Sequence, residues 1–527
     1  MYLRRIPTPV LSIAVGLALA AASRAQCPAG HQRASDYAYH SHFGAELALS
    51  GDTLLVGAPL DDEAGHNAGA AYFLEYEGDG FTEVAKFVPP SSEYGQEFGQ
   101  AVDIDGDLAV VGSSDHQMAF AAGAGFLYRR GPGGWALEDT LFADEPVHAE
   151  QLGTTVAVEG ERVVLGAPGT TFYPGRVLVF EKGPAGWEEV QELAAPTDFA
   201  TRNFGRRVLL AGDRMVVSAA GPQAAVVLVY ERGPGGWSHS ATLVPEQSPR
   251  GLGLLDFDGE RIVTTHRIPG GEFDIVPDMT VLLFEFEDGE WKQGQRLEGS
   301  GDSMIRFGAS AALRGDRLLV GCRDQSFLHM QQEYAELFEL EGGHWTSKGR
   351  IEPQLGGPGA DAFGAAIVLW NDTAILGSPS EYVGNYGGVG ALHLFNLPRR
   401  VRTLCASTPN SSGAAAELEV ECTDKPSELA LRAGPVPSTV GLFFCGNPMT
   451  PLPSWDGQRC VGGQLWRLPA VASESGALRL SLDLVAPQVQ HAFTPGSSWA
   501  VQAWFRDTQA GESGANFSSA AQVRLAP

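Results

Sequence analysis

Arg314-Gly315-Asp316, Gly301-Asp302-Ser303 and the acidic run Asp103-Ile104-Asp105-Gly106-Asp107 are stretches of this 527-residue chain whose residue types could do chemistry. The first would offer a cell-adhesion tripeptide, the second a hydroxyl nucleophile, the third oxygen ligands for a hard cation such as calcium. Each meets an objection in its own surroundings. Arg314-Gly315-Asp316 stands in the register of Ser50-Gly51-Asp52 and Ala211-Gly212-Asp213, so a tight turn accounts for it. Nucleophilic catalysis at Ser303 needs a base and an orienting group, and no motif supplies them. Twelve histidines are scattered without His-Glu-x-x-His or Cys-x-x-Cys spacing, and phosphate loops and dinucleotide fingerprints are missing. The residues therefore nominate no catalytic group and no metal ligand, and the chain reads as a non-enzyme.

The elements that would hold any such group begin after a leader. Arg4 and Arg5 precede an apolar run from Pro9 to Ala22, and Ser23-Arg24-Ala25 supplies small residues for cleavage, which describes a signal peptide over residues 1–25. A lipid anchor on Cys27 fits poorly, because Arg24-Ala25-Gln26 lacks the small-residue box that lipidation needs. No later run reaches the roughly 18 apolar residues of a spanning helix. A secreted or cell-surface chain without a membrane span is expected.

Sixty-three acidic residues against 36 basic ones give a net charge of −27, which disfavours nucleic acid and anionic lipid as partners. Cys405, Cys422, Cys445 and Cys460 cluster near the C-terminus, and in an oxidising compartment they suggest two disulfides with three possible connectivities. Cys27 stands apart, and Cys322 takes the place of the Ala in Gly-Ala-Pro, a small buried apolar position.

What dominates the chain is repetition. Phe-Gly or Leu-Gly recurs at Phe43, Phe98, Leu152, Phe204, Leu252, Phe307 and Phe363, 48 to 56 residues apart. Each copy leads to a Gly-Asp, Gly-Glu or Asn-Asp turn, then to an apolar run such as "TLLVGAP" (53–59), then to one such as "AAYFLEY" (70–76). A fourth run starts at an aromatic in six copies: Phe81, Trp135, Trp187, Trp237, Trp291 and Trp345. Four short β-branched and aromatic runs per unit, punctuated by Gly, Pro and Asp, predict four strands joined by hairpins, with few helices. One such meander cannot cover both its faces, whereas seven packed radially can. The expected fold is all-β, a seven-bladed β-propeller followed by a small β-sandwich. The seventh copy runs out at Asn396-Leu397-Pro398 without its fourth strand, and "GHQRASD" (30–36) aligns with that slot. The N-terminal segment is expected to close the ring as the outer strand of the last blade.

This pattern resembles the FG-GAP repeat, best known from the seven-bladed propeller of integrin α subunits, over roughly residues 30 to 397. The resemblance implies an extracellular platform for binding or adhesion. Calcium-binding members carry an Asp-x-Asp/Asn-x-Asp-Gly-x-x-Asp loop between the first two strands of a blade; here that connection has shrunk to turns such as Ser50-Gly51-Asp52, so those metal sites are not carried over and no cofactor is expected. After a linker at 398–404, residues 405–527 show alternating runs, among them "ALRLSLDL" and "WAVQAWFRD", that suggest a disulfide-containing sandwich. "CASTPNSSG" and the final strands resemble a C-terminal module of diverse secreted bacterial proteins. Trp499 and Trp504 could form an aromatic platform or pack in its core.

In a meander, the connections after strands two and four share one face. The second-to-third connections vary most in length, and variable loops on a repeating scaffold are where specificity is built. They carry Asp61, Asp62, His66, Asp115, His116, Tyr173, Asp274, Asp324, Tyr382 and Tyr386. A monomeric binding or adhesion protein for an extracellular protein or polysaccharide is expected, with a polymer-acting hydrolase or lyase, or a structural envelope protein, as alternatives.

Overall fold

The computed structural model describes residues 27–36, 39–77, 80–90, 95–114, 122–148, 150–169, 175–196, 203–220, 225–245, 252–267, 279–300, 305–324, 333–353, 362–382, 387–397, 401–421, 428–437, 440–454, 457–483, 498–509 and 514–524. The expected leader, Cys422 and Gly301-Asp302-Ser303 lie outside them. No helix occurs among the described residues, and so none is long and apolar enough to cross a membrane.

Seven four-stranded antiparallel sheets form the propeller. Blade one is built from Glu46–Ser50, Thr53–Ala58, Ala70–Tyr76 and Phe81–Phe87. Blade seven takes Ile367–Trp370, Thr373–Ser378 and Ala391–Asn396 from the end of the repeat region and Cys27–Gln32 from the beginning. In that outer strand Gly30 pairs with Leu394, His31 with His393 and Gln32 with Leu392. The ring is closed by the N-terminal strand, as the missing fourth run predicts.

The repeated residues are the joints between blades. Phe43, Phe98, Leu152, Phe204 and Phe363 are wholly buried. The glycine that follows turns the chain through a positive φ, +89° at Gly99. It also lies against the first glycine of Gly-Ala-Pro one blade back: a Cβ on Gly57 would stand 2.0 Å from the carbonyl oxygen of Gly99. Only glycine tolerates that approach, which explains why the two clusters repeat together. The fourth-strand tryptophans pack between blades as well. Trp237 and Trp345 are buried, and the guanidinium of Arg162 lies 5.4 Å from the ring centroid of Trp237, that of Arg261 5.7 Å from Trp345.

The first-to-second turns link neighbours by hydrogen bonds. Gly106 N–H donates to Ser50 Oγ (2.9 Å), Gly160 N–H to Asp105 Oδ2 (2.7 Å) and Gly212 N–H to Glu159 Oε1 (2.9 Å). The acidic residue before the turn is thus engaged by the next blade's backbone. Gly315 adopts φ +59° in the same kind of turn, and Arg314 Nη1 donates to Leu369 O (2.9 Å).

The C-terminal region is one eight-stranded sheet folded over a common core. Leu429, Leu431, Leu478 and Leu482 from one half pack with Phe443, Val501, Phe505 and Val523 from the other, the sandwich expected. The anticipated linker is shorter than read: Val401–Cys405 is a strand paired with Ala515–Arg524. Cys405 is joined to Cys460, while Cys445 keeps a free, buried thiol, so one of the two expected disulfides is formed among the described residues. Cys322 is buried and unpaired, in the apolar position expected of it. Trp499 packs against the sandwich core, and Trp504 lines a groove of about 430 Å³ with Phe444 and Phe517.

Candidate functional site

Among the described residues, the seam between blades seven and one gathers a cluster of charged and polar side chains. Glu381 follows Gly377-Ser378-Pro379-Ser380 in the place where Asp61 follows Gly57-Ala58-Pro59-Leu60. His393 on the third strand pairs with His31 on the fourth, as Tyr72 pairs with Lys86 in blade one. Two adjacent blades therefore hold the same triangle of an acid after strand two and polar groups on strands three and four.

In blade seven the acid is gripped from three sides. His31 Nε2 lies 2.8 Å from Glu381 Oε1, His393 Nε2 lies 2.8 Å from Oε2, and Arg33 Nη2 donates to Oε1 at 2.6 Å. The Glu381 and His393 side chains are 6% and 4% exposed, His31 26%. Burial would raise the carboxyl's pKa, but hydrogen bonds from His31, His393 and Arg33 outweigh it and hold Glu381 well below the usual carboxylate range. The two imidazoles and the carboxylate bring their ligand atoms within 4.8 Å of one another.

In blade one, Asp61 accepts from Tyr72 Oη (3.1 Å), Lys86 Nζ (3.1 Å) and Glu63 N–H (2.9 Å). Lys86 also meets Glu63 (2.6 Å) and Asp36. Burial opposes the ammonium charge, yet Asp36, Glu63 and Asp61 together raise the Lys86 pKa. Asp36, Arg33 and His31 all belong to the first described stretch of chain, so the segment that closes the ring is fastened to both blades by charge.

Above this base lies an aromatic patch. Tyr39 and Tyr382 are 52% and 56% exposed. The Tyr39 and His40 rings meet edge to face at 3.9 Å. His40 and His42 crowd Gly388, where a Cβ would stand 3.1 Å from each ring, and Tyr382 crowds the adjacent Gly387. His42 has its pKa lowered by burial and by the charge of His40. His40 and His42 both adopt positive φ, 58° and 56°, a conformation unusual outside glycine.

The residues named from the sequence are distributed unevenly around this patch. Tyr382 belongs to it. Asp62 and His66 are exposed on the blade-one loop, where Asp62 Oδ1 accepts from Asn67 N–H at 2.7 Å. Asp61, expected on the binding surface, is instead wholly buried and anchors that loop, accepting from Tyr72 and Lys86 on the blade's strands and from Glu63 N–H in the loop itself. Asp324 ends the strand Arg317–Asp324, and its side chain is not described. Asp115, His116, Tyr173, Asp274 and Tyr386 lie outside the described residues. His31, Arg33, His393 and Glu381 were missed by sequence reasoning. The available signal was the alignment of Glu381 with Asp61 across the repeat.

The first strands of all seven blades line a central cavity of about 420 Å³. Glu46 Oε1 and Arg207 Nη1 face each other at 3.5 Å, from blades one and four. Asp103 and Asp256 occupy equivalent positions in blades two and five. Though partly accessible through the cavity, each is walled in by neighbouring strands. Desolvation pushes Asp103 up to about 7 and Asp256 up to about 6 against the pull of their backbone donors. Val158 N–H and Ile104 N–H donate to the two oxygens of Asp103 (2.8 and 2.9 Å), and Leu313 and Phe257 do the same for Asp256. These carboxylates join one blade to the next.

A family model matches part of the repeat region. The FG-GAP repeat model matches residues 32–74 and 81–128. No curated protein matches. Among solved structures the chain is similar to the WD40 domain of coronin from Toxoplasma gondii (9% identity over 70% of this chain and 87% of that one, TM-score 0.41). It is also similar to a hypothetical selenium-binding protein from Sulfolobus tokodaii (12% identity, 59% and 79%, TM-score 0.36) and to an ancestral GH74 enzyme (14% identity, 67% and 47%, TM-score 0.43). At these scores none of the three bears on function. The chain carries FG-GAP repeats, set in a seven-bladed β-propeller.

Proposed function

We propose that this is an exported recognition or adhesion protein that binds an extracellular protein or polysaccharide through the loop face of its propeller, at the seam of blades seven and one. The observation that carries the reading is the pairing of exposed Tyr39 and Tyr382 with His40 and His42 around Gly387-Gly388. Tyrosines offer broad contact at small entropic cost, with a hydroxyl for polar ligands. The charge-fastened base beneath them keeps the patch preorganised, which lowers the ordering cost of binding.

The test is an array of polysaccharides and surface proteins probed with the full chain, followed by titration of each hit with a Tyr39→Ala/Tyr382→Ala double variant. A loss of tenfold or more is expected. Unchanged affinity would refute the location, and release of shortened polymer by the wild-type chain would refute the class.

A polymer-acting hydrolase or lyase is the second reading, favoured by the raised pKa of Asp103 and Asp256 in the central cavity. It ranks below binding because every oxygen of the two carboxylates accepts a backbone N–H, one from the next blade and one from the following residue of its own strand.

A further inference from the structure

The geometry points to a divalent transition-metal site of the zinc class, made by His31, Glu381 and His393, that clasps the N-terminal strand to blade seven. This inference stands apart from the recognition patch, and sequence spacing does not bring its ligands together, since Glu381 and His393 lie 350 and 362 positions from His31.

The donor set is two imidazole nitrogens and one carboxylate, a combination suited to zinc, copper or nickel and unsuited to calcium, which takes six to eight oxygens. Both histidines turn Nε2 toward the same carboxylate, one to each oxygen, at 2.8 Å. Ligands held about 2.0–2.2 Å from a tetrahedral zinc lie roughly 3.3 Å from one another. The three atoms already sit within 4.8 Å, so the ion needs small rotations of side chains and no movement of strands.

Arg33 fits the same arrangement. Its Nη2 donates to Oε1, and a carboxylate oxygen has a second lone pair for the ion, which leaves Arg33 to orient the ligand. His393 is held by aromatic neighbours, with Phe363 edge-to-face at 5.3 Å and Phe395 stacked at 6.5 Å. His31 is the most exposed ligand, so water reaches the fourth position from its side.

The experiment is calorimetric titration of the metal-free full chain with ZnCl2 at pH 7.5, with CaCl2 as the contrast. One equivalent of zinc is expected to bind with micromolar or tighter affinity, and calcium is expected to give no heat at that site. His31→Ala and Glu381→Gln should each weaken zinc at least tenfold. Glu381→Gln keeps the side chain's size, and circular dichroism confirms the fold of both. Cobalt in the wild-type chain should give visible bands of nitrogen and oxygen coordination, a readout that needs no variant. No stoichiometric zinc heat, zinc affinity unchanged in folded His31→Ala, or a thiolate-to-cobalt charge-transfer band would each overturn the proposal.

Discussion

A Cβ placed on Gly377 would stand 2.0 Å from the carbonyl oxygen of Gly44, so the last blade seats against the first as Gly57 of blade one seats against Gly99 of blade two. The contact that repeats along the chain also closes it.

Gly377→Ala should therefore destabilise the propeller by about 1–3 kcal/mol or more, because the clash is with backbone that cannot swing away. Gly51→Ala offers the opposite case: φ is +58° and nothing lies within 4 Å, so only backbone strain of about 1–2 kcal/mol is expected. Urea unfolding of the two variants separates packing from conformation.

Removing the acid at the seam should cost more than removing either histidine. Glu381→Ala leaves Arg33, His31 and His393 facing one another without their common anion, and a loss of about 3 kcal/mol is expected in metal-free buffer. Thermal unfolding reads that loss, and limited proteolysis with mass measurement of the fragments checks whether the first strand also becomes accessible.

Asp103 and Asp256 make the propeller's stability depend on pH. Their folded pKa values, about 7 and about 6, lie above those of the unfolded chain, so the folded state binds more protons between about pH 4 and pH 7. The stability they contribute is fully present below the unfolded pKa and is lost as pH rises through the folded values. Melting temperature should fall from pH 5 to pH 8, and the slope should flatten in Asp103→Asn/Asp256→Asn. A melting temperature that rises over this range, with the same slope in the double variant, would refute the assignment.

The Cys405–Cys460 bond closes a long loop in the C-terminal sheet, with a sequence separation of 55. Cys460→Ser should cost about 2–4 kcal/mol in that sheet. Peptide mapping without reduction should recover a 405–460 cross-link and a Cys445 peptide that labels only after unfolding.

Most of the architecture is legible in the sequence. Phe-Gly, Gly-Asp and Gly-Ala-Pro encode a blade locally, and their count and spacing supply the ring; the missing fourth strand after Ala391–Asn396 pointed to Cys27–Gln32. Periodicity reports contacts that recur at fixed separation, and the joints between blades are of that kind. The candidate site is of the other kind. Tyr382 could be named from a variable loop, but Asp61 looked like a surface acid and is a buried anchor.

His31, Glu381 and His393 converge only once the chain has gone round and returned, and Tyr39 meets its patch by the same closure. Likewise, four clustered cysteines permit three pairings, and the folding of one sheet over its core selected Cys405 with Cys460. Composition and repeat alone determined an all-β ring of seven blades with a sandwich behind it. The tertiary structure decided which side chains meet at the seam, because closure joins residues whose separation along the chain carries no pattern.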